Sequence, residues 1–413
     1  MLISVILVFA GFTYWRGLSR SLQLTWTGLV LVLLGIQAFE LVHIVAAGLR
    51  NPPIWDFRCF WLFGRVALTS HEIYSTFAFH AVGRQFPFNA AWSQEVLDVG
   101  FIYPPPSIVL FAPLGVFSTP NGAAPWWYGS LLLELLATIV VLWRAFFREY
   151  AWPGLAGTAL LVLAFPATFV TLSYAQTPIF LLLLISLYAI DTSPFRRGIW
   201  LGLSAVVKPI TLVLFLHPIL QRTWRPLLSA LAVIAAACVG AIAIVGFSNV
   251  MAFFSSNVYQ RDPGLAYSED VNQSLLGFII RITHQHAAHY TLQREPLFLA
   301  IAIVMTIITI YVCTRTGNRL ELLSLGALIA LALIIYPGSW IHYAEILLLP
   351  LFALWTYAKE RNNALLASAF ILLISALVYF STHVELFGYL LCWLVFLGLL
   401  LKQPIARSTH PES

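Results

Sequence analysis

Charge is what this chain has least of. Only 9% of its 413 residues are Asp, Glu, Lys or Arg. A soluble domain of that length needs far more surface charge to stay dissolved, so a water-soluble globule is excluded. Cysteine is also sparse: Cys59, Cys238, Cys313 and Cys392 are scattered, and three of them fall inside apolar runs. With no CxxC or other metal-ligand spacing, neither a disulfide framework nor a zinc site is supported. No basic stretch precedes the first apolar run, because Arg16 and Arg20 come after it, so the N-terminus is read as a retained membrane segment and not a cleavable signal. The net charge of +5 resides in short connectors and does not point to nucleic acid.

What the chain does contain is apolar. It is 60% hydrophobic and 15% aromatic, with a mean hydropathy of +0.87. Runs near the roughly 20 residues needed to cross a hydrocarbon core recur from Thr25–Leu49 to Leu386–Leu401, with shorter ones at Ile3–Tyr14, Ile102–Phe117 and Pro178–Ile190. They predict an all-α polytopic membrane protein of roughly 10 to 13 helices. Residues 1–402 form one membrane domain, followed by a short cytoplasmic tail at 403–413.

The basic connectors Arg16/Arg20, Arg144/Arg148, Arg196/Arg197, Arg222/Arg225, Arg315/Arg319, Lys359/Arg361 and Lys402/Arg407 belong to the cytoplasmic side by the positive-inside rule. Two long loops, about residues 50–101 and 248–295, then lie outside, as do the uncharged connectors Ser173–Pro178, Tyr336–Ile341 and Ser381–Glu385. Simple alternation fails at Ile102–Phe117 and at Trp200–Leu220. Both contain proline: Pro104, Pro105, Pro106 and Pro113 in the first, Pro209 and Pro218 in the second. Proline interrupts the helical ladder, and irregular backbone at membrane depth is tolerated where it lines a polar cavity. Each segment is therefore expected to be broken or re-entrant, with a cavity open to the outer side.

Several polar residues stand out against this background. Asp56, just past the first long run, is a scarce carboxylate at a membrane exit and a candidate general base. Lys208, far from either end of its run and followed by Pro209, is expensive there unless paired or hydrated, and reads as an anion-binding cation; a snorkelling lysine is the plainer alternative. Gln176 sits in an outer connector. Asn272 and Gln273 follow the acidic Ser268–Asp270, and Asn272 could simply cap a helix running to Arg281. Trp340 and His342, beside Tyr343, could equally form an interfacial aromatic belt. His284, His286 and His289 have metal-like spacing but no neighbouring carboxylate, and read as solvated. So do most of Arg58, Arg65, Glu72, Asp98, Arg261 and Asp262. Glu40, His43 and Glu134 fall within apolar runs and are expected to face the bundle interior.

The order of these motifs resembles glycosyltransferase family 87, polytopic enzymes of the GT-C fold. The pattern comprises Asp56 and Ile73-Tyr74, Tyr103-Pro104-Pro105 with Ala112-Pro113-Leu114, Ala175-Gln176, Gly198…Gly202…Lys208-Pro209, Asn272-Gln273-Ser274-Leu275, and Ser339-Trp340-Ile341-His342-Tyr343. Two positions depart from it. Ala175 replaces the family's usual glycine, and Ser70-His71-Glu72-Ile73-Tyr74 differs from its usual first motif. The resemblance implies a GT-C-type bundle that moves a mannosyl or arabinosyl unit from a polyprenyl-phosphate donor to a lipid or glycan acceptor. It places the reaction at the outer face of a bacterial inner membrane, as an inverting single displacement without the nucleotide-sugar machinery of soluble transferases; no cofactor and no metal ligand set is expected. On that reading Asp56 is the base, Lys208 and His342 receive the donor phosphate, and Tyr103, Gln176, Asn272, Gln273 and Trp340 bind substrate, with Trp55 able to stack on a sugar. A carrier that flips a lipid-linked sugar is the main alternative. Another is a polymerase or ligase subunit using Arg261 and Arg281.

Overall fold

The computed structural model describes residues 2–52, 56–85, 101, 103–255, 272–283, 296–316, 321–380 and 385–402. Among them the chain is an all-α bundle. Five helical stretches are long and apolar enough to cross a membrane: Arg20–Arg50, Pro120–Leu163, Trp224–Val245, Pro296–Arg315 and Ile341–Lys359. Shorter apolar helices, such as Pro178–Ile190 and Glu321–Ile335, complete it. The longest stretch is two helices, Pro120–Leu142 and Ala151–Leu163, separated by a π turn and a 3-10 turn and reversed at Ala151, whose φ is +50°. Many of the prolines start elements and do not break them. Pro120, Pro166, Pro178, Pro194 and Pro209 each open a helix, where the missing N–H costs nothing. Thr119 and Ser193 cap two of these starts with their hydroxyls.

The two ends of the bundle are distinguished by which connectors meet there. At one end Arg16 pairs with Glu149 at 3.2 Å, and Lys359 contacts the same carboxylate and the Tyr150 hydroxyl. The Tyr150 hydroxyl in turn donates to the Phe12 carbonyl at 3.0 Å. Arg197 pairs with Glu321 at this end as well. Of the connectors expected to share the cytoplasmic side, those of Arg16, Arg148 and Lys359 thus meet one another. The uncharged connectors around Gln176 and Pro337 lie at the other end of helices Pro178–Ile190 and Glu321–Ile335.

Both irregular segments have the expected broken form. Helix Pro194–Val207 stops at Lys208, whose backbone is extended (φ −153°, ψ 132°), and Pro209 begins a 3-10 helix that leads into Leu216–Leu220. The chain then returns to where it started. Arg197 Nε donates to the Tyr188 carbonyl at 3.0 Å and its guanidinium pairs with Glu321, while the His217 ring contacts the Tyr188 hydroxyl at 2.5 Å and the Glu321 carbonyl at 3.2 Å. Residues 197 and 217 thus share the same two neighbours, and Lys208 is the tip of a re-entrant hairpin. The segment from Tyr103 to Phe117 folds onto helix Phe57–Thr69. Phe111 stacks on Phe60, and Trp61 Nε1 donates to the Phe117 carbonyl at 3.0 Å. The crossing is close enough that a Cβ on Gly64 or Gly115 would collide with the other's backbone.

One expectation is overturned. Glu40 and His43 are exposed on the periphery and do not face the interior; of helix Arg20–Arg50 only Trp26, Thr27, Val30 and Gly48 are buried. The reason is that this helix lies on the outside of the bundle and packs through few positions, so most of its side chains, these two included, meet no other helix. Glu134 is half-buried with one carboxylate oxygen enclosed.

Candidate functional site

The site lies at the end of the bundle opposite the basic connectors, and six chain segments build it. Asp56 occupies the N-cap position of helix Phe57–Thr69, yet its side chain makes no capping bond. The Gln176 amide donates to the Asp56 carboxylate instead. Gln176 is held for this by the end of helix Pro166–Tyr174. Ala175 takes the left-handed conformation (φ 52°, ψ 44°), its N–H donates to the Leu172 carbonyl at 3.2 Å, and the Gln176 N–H donates to the Thr171 carbonyl at 2.8 Å. This paired closure ends a helix on a left-handed residue. Trp127 Nε1 locks it by donating to the Ala175 carbonyl at 2.7 Å. Glycine is the residue that pays least for such a backbone, which accounts for the family's usual residue where this chain has alanine.

Opposite Asp56 is Lys208, only 3% exposed. Its ammonium donates to the Tyr103 hydroxyl at 2.5 Å and lies 4.3 Å from the Tyr103 ring centroid, 5.3 Å from Tyr343 and 6.0 Å from Phe60. Tyr103 is itself fixed by the Tyr74 hydroxyl, which donates to its carbonyl at 3.0 Å. Asp56 lies in the loop outside the spanning helices, and although the residue is partly exposed, its carboxyl is enclosed by protein. Burial pushes that carboxyl up to about 6, against the pull of the Gln176 hydrogen bond and of the Lys208 charge. Such a carboxylate is ionised at neutral pH and more basic than an ordinary aspartate, which suits proton abstraction from a hydroxyl.

The remaining two loops are stitched together. Asn272 and Trp340 form an antiparallel bridge, the Gln273 N–H donates to the Ser339 carbonyl at 2.7 Å, and the Asn272 amide and Ser274 hydroxyl both donate to the Pro337 carbonyl, at 2.8 and 2.9 Å. Ser274, not Asn272, caps the following helix Leu275–Ile282, accepting from Gly277 N at 3.0 Å. The Asn272 side chain instead spans the two loops, with its carbonyl oxygen accepting from Ser274 N at 3.1 Å. The stitched pair leads from Trp340 into His342, whose ring lies 4.7 Å from that of Tyr343, which in turn is 5.3 Å from the Lys208 ammonium. Asp56 and Gln176, Lys208 and Tyr103, and His342 beside Tyr343 thus gather in one polar cluster, and the stitched loops that carry Asn272, Gln273 and Trp340 lead into it through His342. Within it Gln176 Oε1, Thr177 Oγ1, Ser339 Oγ and His342 Nε2 are buried and make no hydrogen bond among the described residues, so they remain available to a polar ligand.

Not every expectation falls here. Trp55, Asp98, Arg261, Asp262 and the histidines His284, His286 and His289 lie outside the described residues. Arg58 and Arg65 serve the fold: Arg58 donates to the Asn51 side chain at 2.7 Å and Arg65 to the Gly115 carbonyl at 3.1 Å. One ionisable residue that sequence reasoning passes over is Glu345. It is fully buried, three residues after His342, and accepts from the Thr171 hydroxyl at 2.6 Å. The available signal was a carboxylate inside the apolar run Ile341–Tyr357.

A sequence model of glycosyltransferase family 87 matches residues 101–337, which include Tyr103, Gln176, Lys208, Asn272 and Gln273. Asp56, Trp340 and His342 lie outside that match. The chain is 24% identical over 268 residues to a polyprenol-phosphate-mannose-dependent alpha-(1-2)-phosphatidylinositol mannoside mannosyltransferase of Mycolicibacterium smegmatis, covering 61% of this chain and 60% of that one. It is 25% identical over 291 residues to the protein of the same description in Mycobacterium tuberculosis, covering 66% and 65%. It is 28% identical over 193 residues to an alpha-(1->3)-arabinofuranosyltransferase of Mycobacterium tuberculosis, covering 44% and 42%. The chain thus spans less than two thirds of the length of each of these relatives. No solved structure matches it significantly.

Proposed function

Because the chain belongs to glycosyltransferase family 87, we propose that it transfers a sugar, mannose first among the candidates, from a polyprenyl-phosphate donor to a lipid or glycan acceptor, with inversion at the anomeric carbon. The acceptor oxygen attacks that carbon as its proton passes to the Asp56 carboxylate. The bond from the anomeric carbon to the phosphate oxygen breaks, and its electron pair leaves with the lipid phosphate. A phosphate leaving group needs no general acid, but its developing charge needs cations and donors. Lys208 and His342 supply these. Gln176 aims the base, Tyr103, Gln273 and Trp340 hold sugar or phosphate, and Asn272 fixes the loop that carries Gln273. The active face is the periplasmic or exterior face of a bacterial inner membrane, and residues 1–402 act as one domain.

One observation supports this reading above the others. In a chain with almost no charge, a carboxylate and an ammonium from distant loops share a buried polar cluster at the end opposite the basic connectors. A relative with a mannosyl donor favours mannose, and one that transfers arabinofuranose keeps the pentose as the second candidate. The test is purified protein in liposomes with radiolabelled polyprenyl-phosphate mannose and a glycolipid acceptor. Label moving into the acceptor supports a transferase. Label crossing the bilayer still attached to its polyprenyl phosphate would overturn it in favour of a carrier.

A further inference from the structure

Glu345 sits where an aliphatic side chain would pack without cost. It is fully buried, on the 3-10 helix Ile341–Leu347, among apolar neighbours such as Ile346, Leu347 and Leu348. A carboxylate at such depth is expensive and needs a reason to be there. Its contacts run in two directions. Toward the base, Glu345 Oε2 accepts from the Thr171 hydroxyl at 2.6 Å, the Thr171 carbonyl accepts from the Gln176 N–H at 2.8 Å, and the Gln176 amide holds Asp56. Toward the cation, the same short helix carries His342 and Tyr343, and the Tyr343 ring lies 5.3 Å from the Lys208 ammonium.

We infer that Glu345 is a positioning residue that sets the distance between the base side of the site, carried by the end of helix Pro166–Tyr174, and the phosphate side, carried by Ile341–Leu347. The Thr171–Glu345 hydrogen bond is the clamp between those two elements. It touches neither substrate nor reacting atoms, and it acts through Gln176 on one side and through Tyr343 and His342 on the other. The inference rests on the transferase reading above.

The signature of such a clamp is a loss of turnover without a matching loss of donor binding. A displacement of about 1 Å between base and reacting carbon lowers kcat by roughly ten- to a hundredfold, while the phosphate side still binds donor. Glu345→Ala and Thr171→Val are each expected to lower kcat in that range, with donor KM changed less than about threefold. Because they cut the same hydrogen bond, the double variant is no worse than the poorer single variant. Glu345→Gln keeps an oxygen for the Thr171 hydroxyl and restores most of the turnover. The experiment measures steady-state kinetics of wild type and these four variants in the liposome assay, on preparations with wild-type elution in gel filtration. Three results overturn the inference alone while the wild type is active: unchanged kcat in Glu345→Ala, Glu345→Gln as impaired as Glu345→Ala, or effects that multiply in the double variant. Absence of transfer by the wild type overturns the activity reading, and this inference with it.

Discussion

Replacing Gln176 with leucine removes the side-chain hydrogen bond to the Asp56 carboxylate while keeping nearly the same volume. In the wild type, burial raises that carboxyl to about 6 and the Gln176 bond restrains the rise. A hydrogen bond to a charged group contributes about 1.5–3 kcal/mol, and each pKa unit is 1.36 kcal/mol, so its loss moves the carboxyl up by about one to two units. The lower end of that range puts the carboxyl near 7. A base must be ionised to act, so kcat rises with pH through its titration. At pH 6 the ionised fraction of Asp56 then falls from about one half to about one tenth, whereas at about pH 8.5 the two proteins differ little in this respect. The assay is the pH profile of kcat for sugar transfer in liposomes at saturating donor. An acid limb in Gln176→Leu at or below the wild-type pH would refute the argument. So would a wild-type kcat that stays flat from about pH 5 to 7.

Asp56→Asn is expected to lose turnover and to gain stability. A carboxyl raised from 3.8 to about 6 favours folding in its protonated form, fully below 3.8, and that contribution is lost as pH rises through about 6. At pH 8 the variant should therefore be more stable than wild type by up to about 3 kcal/mol, seen as a higher unfolding temperature in detergent, and the difference should vanish near pH 4. Lys208→Met should weaken polyprenyl-phosphate binding by about ten- to a hundredfold, the worth of a charged hydrogen bond, measured by titration calorimetry. At Ala175 the left-handed backbone predicts an order of thermal midpoints. Glycine should be the most stable, by about 1 kcal/mol, then alanine, and a β-branched valine the least, with transfer lost alongside as Gln176 is misplaced.

The broad architecture was legible because membranes impose few solutions. Long apolar runs predicted helices, and arginine placement predicted which connectors meet, as Arg16, Glu149 and Lys359 do. The break at Lys208-Pro209 was legible for a different reason: a charge deep in an apolar run and a missing N–H both resist a continuous helix. What escaped depends on tertiary neighbours. Asn272 and Ser274 are both good caps by composition, and only the approach of Pro337 decides that Asn272 spans loops while Ser274 caps. Glu40 and His43 lie in an apolar run like Glu345, yet two are peripheral and one is central, because periodicity does not say which helix faces lipid. The link from Glu345 through Thr171 to Gln176 joins residues about 170 positions apart by a single hydroxyl, which no local pattern announces.

The most direct test of the central claim is single-turnover transfer from radiolabelled polyprenyl-phosphate mannose by wild type and Asp56→Asn, with donor binding measured on the same preparations. The expected result is a labelled acceptor of inverted anomeric configuration from wild type, and a loss of at least about a thousandfold in the variant at nearly unchanged donor affinity. Transfer by Asp56→Asn at a rate near that of wild type would contradict the account.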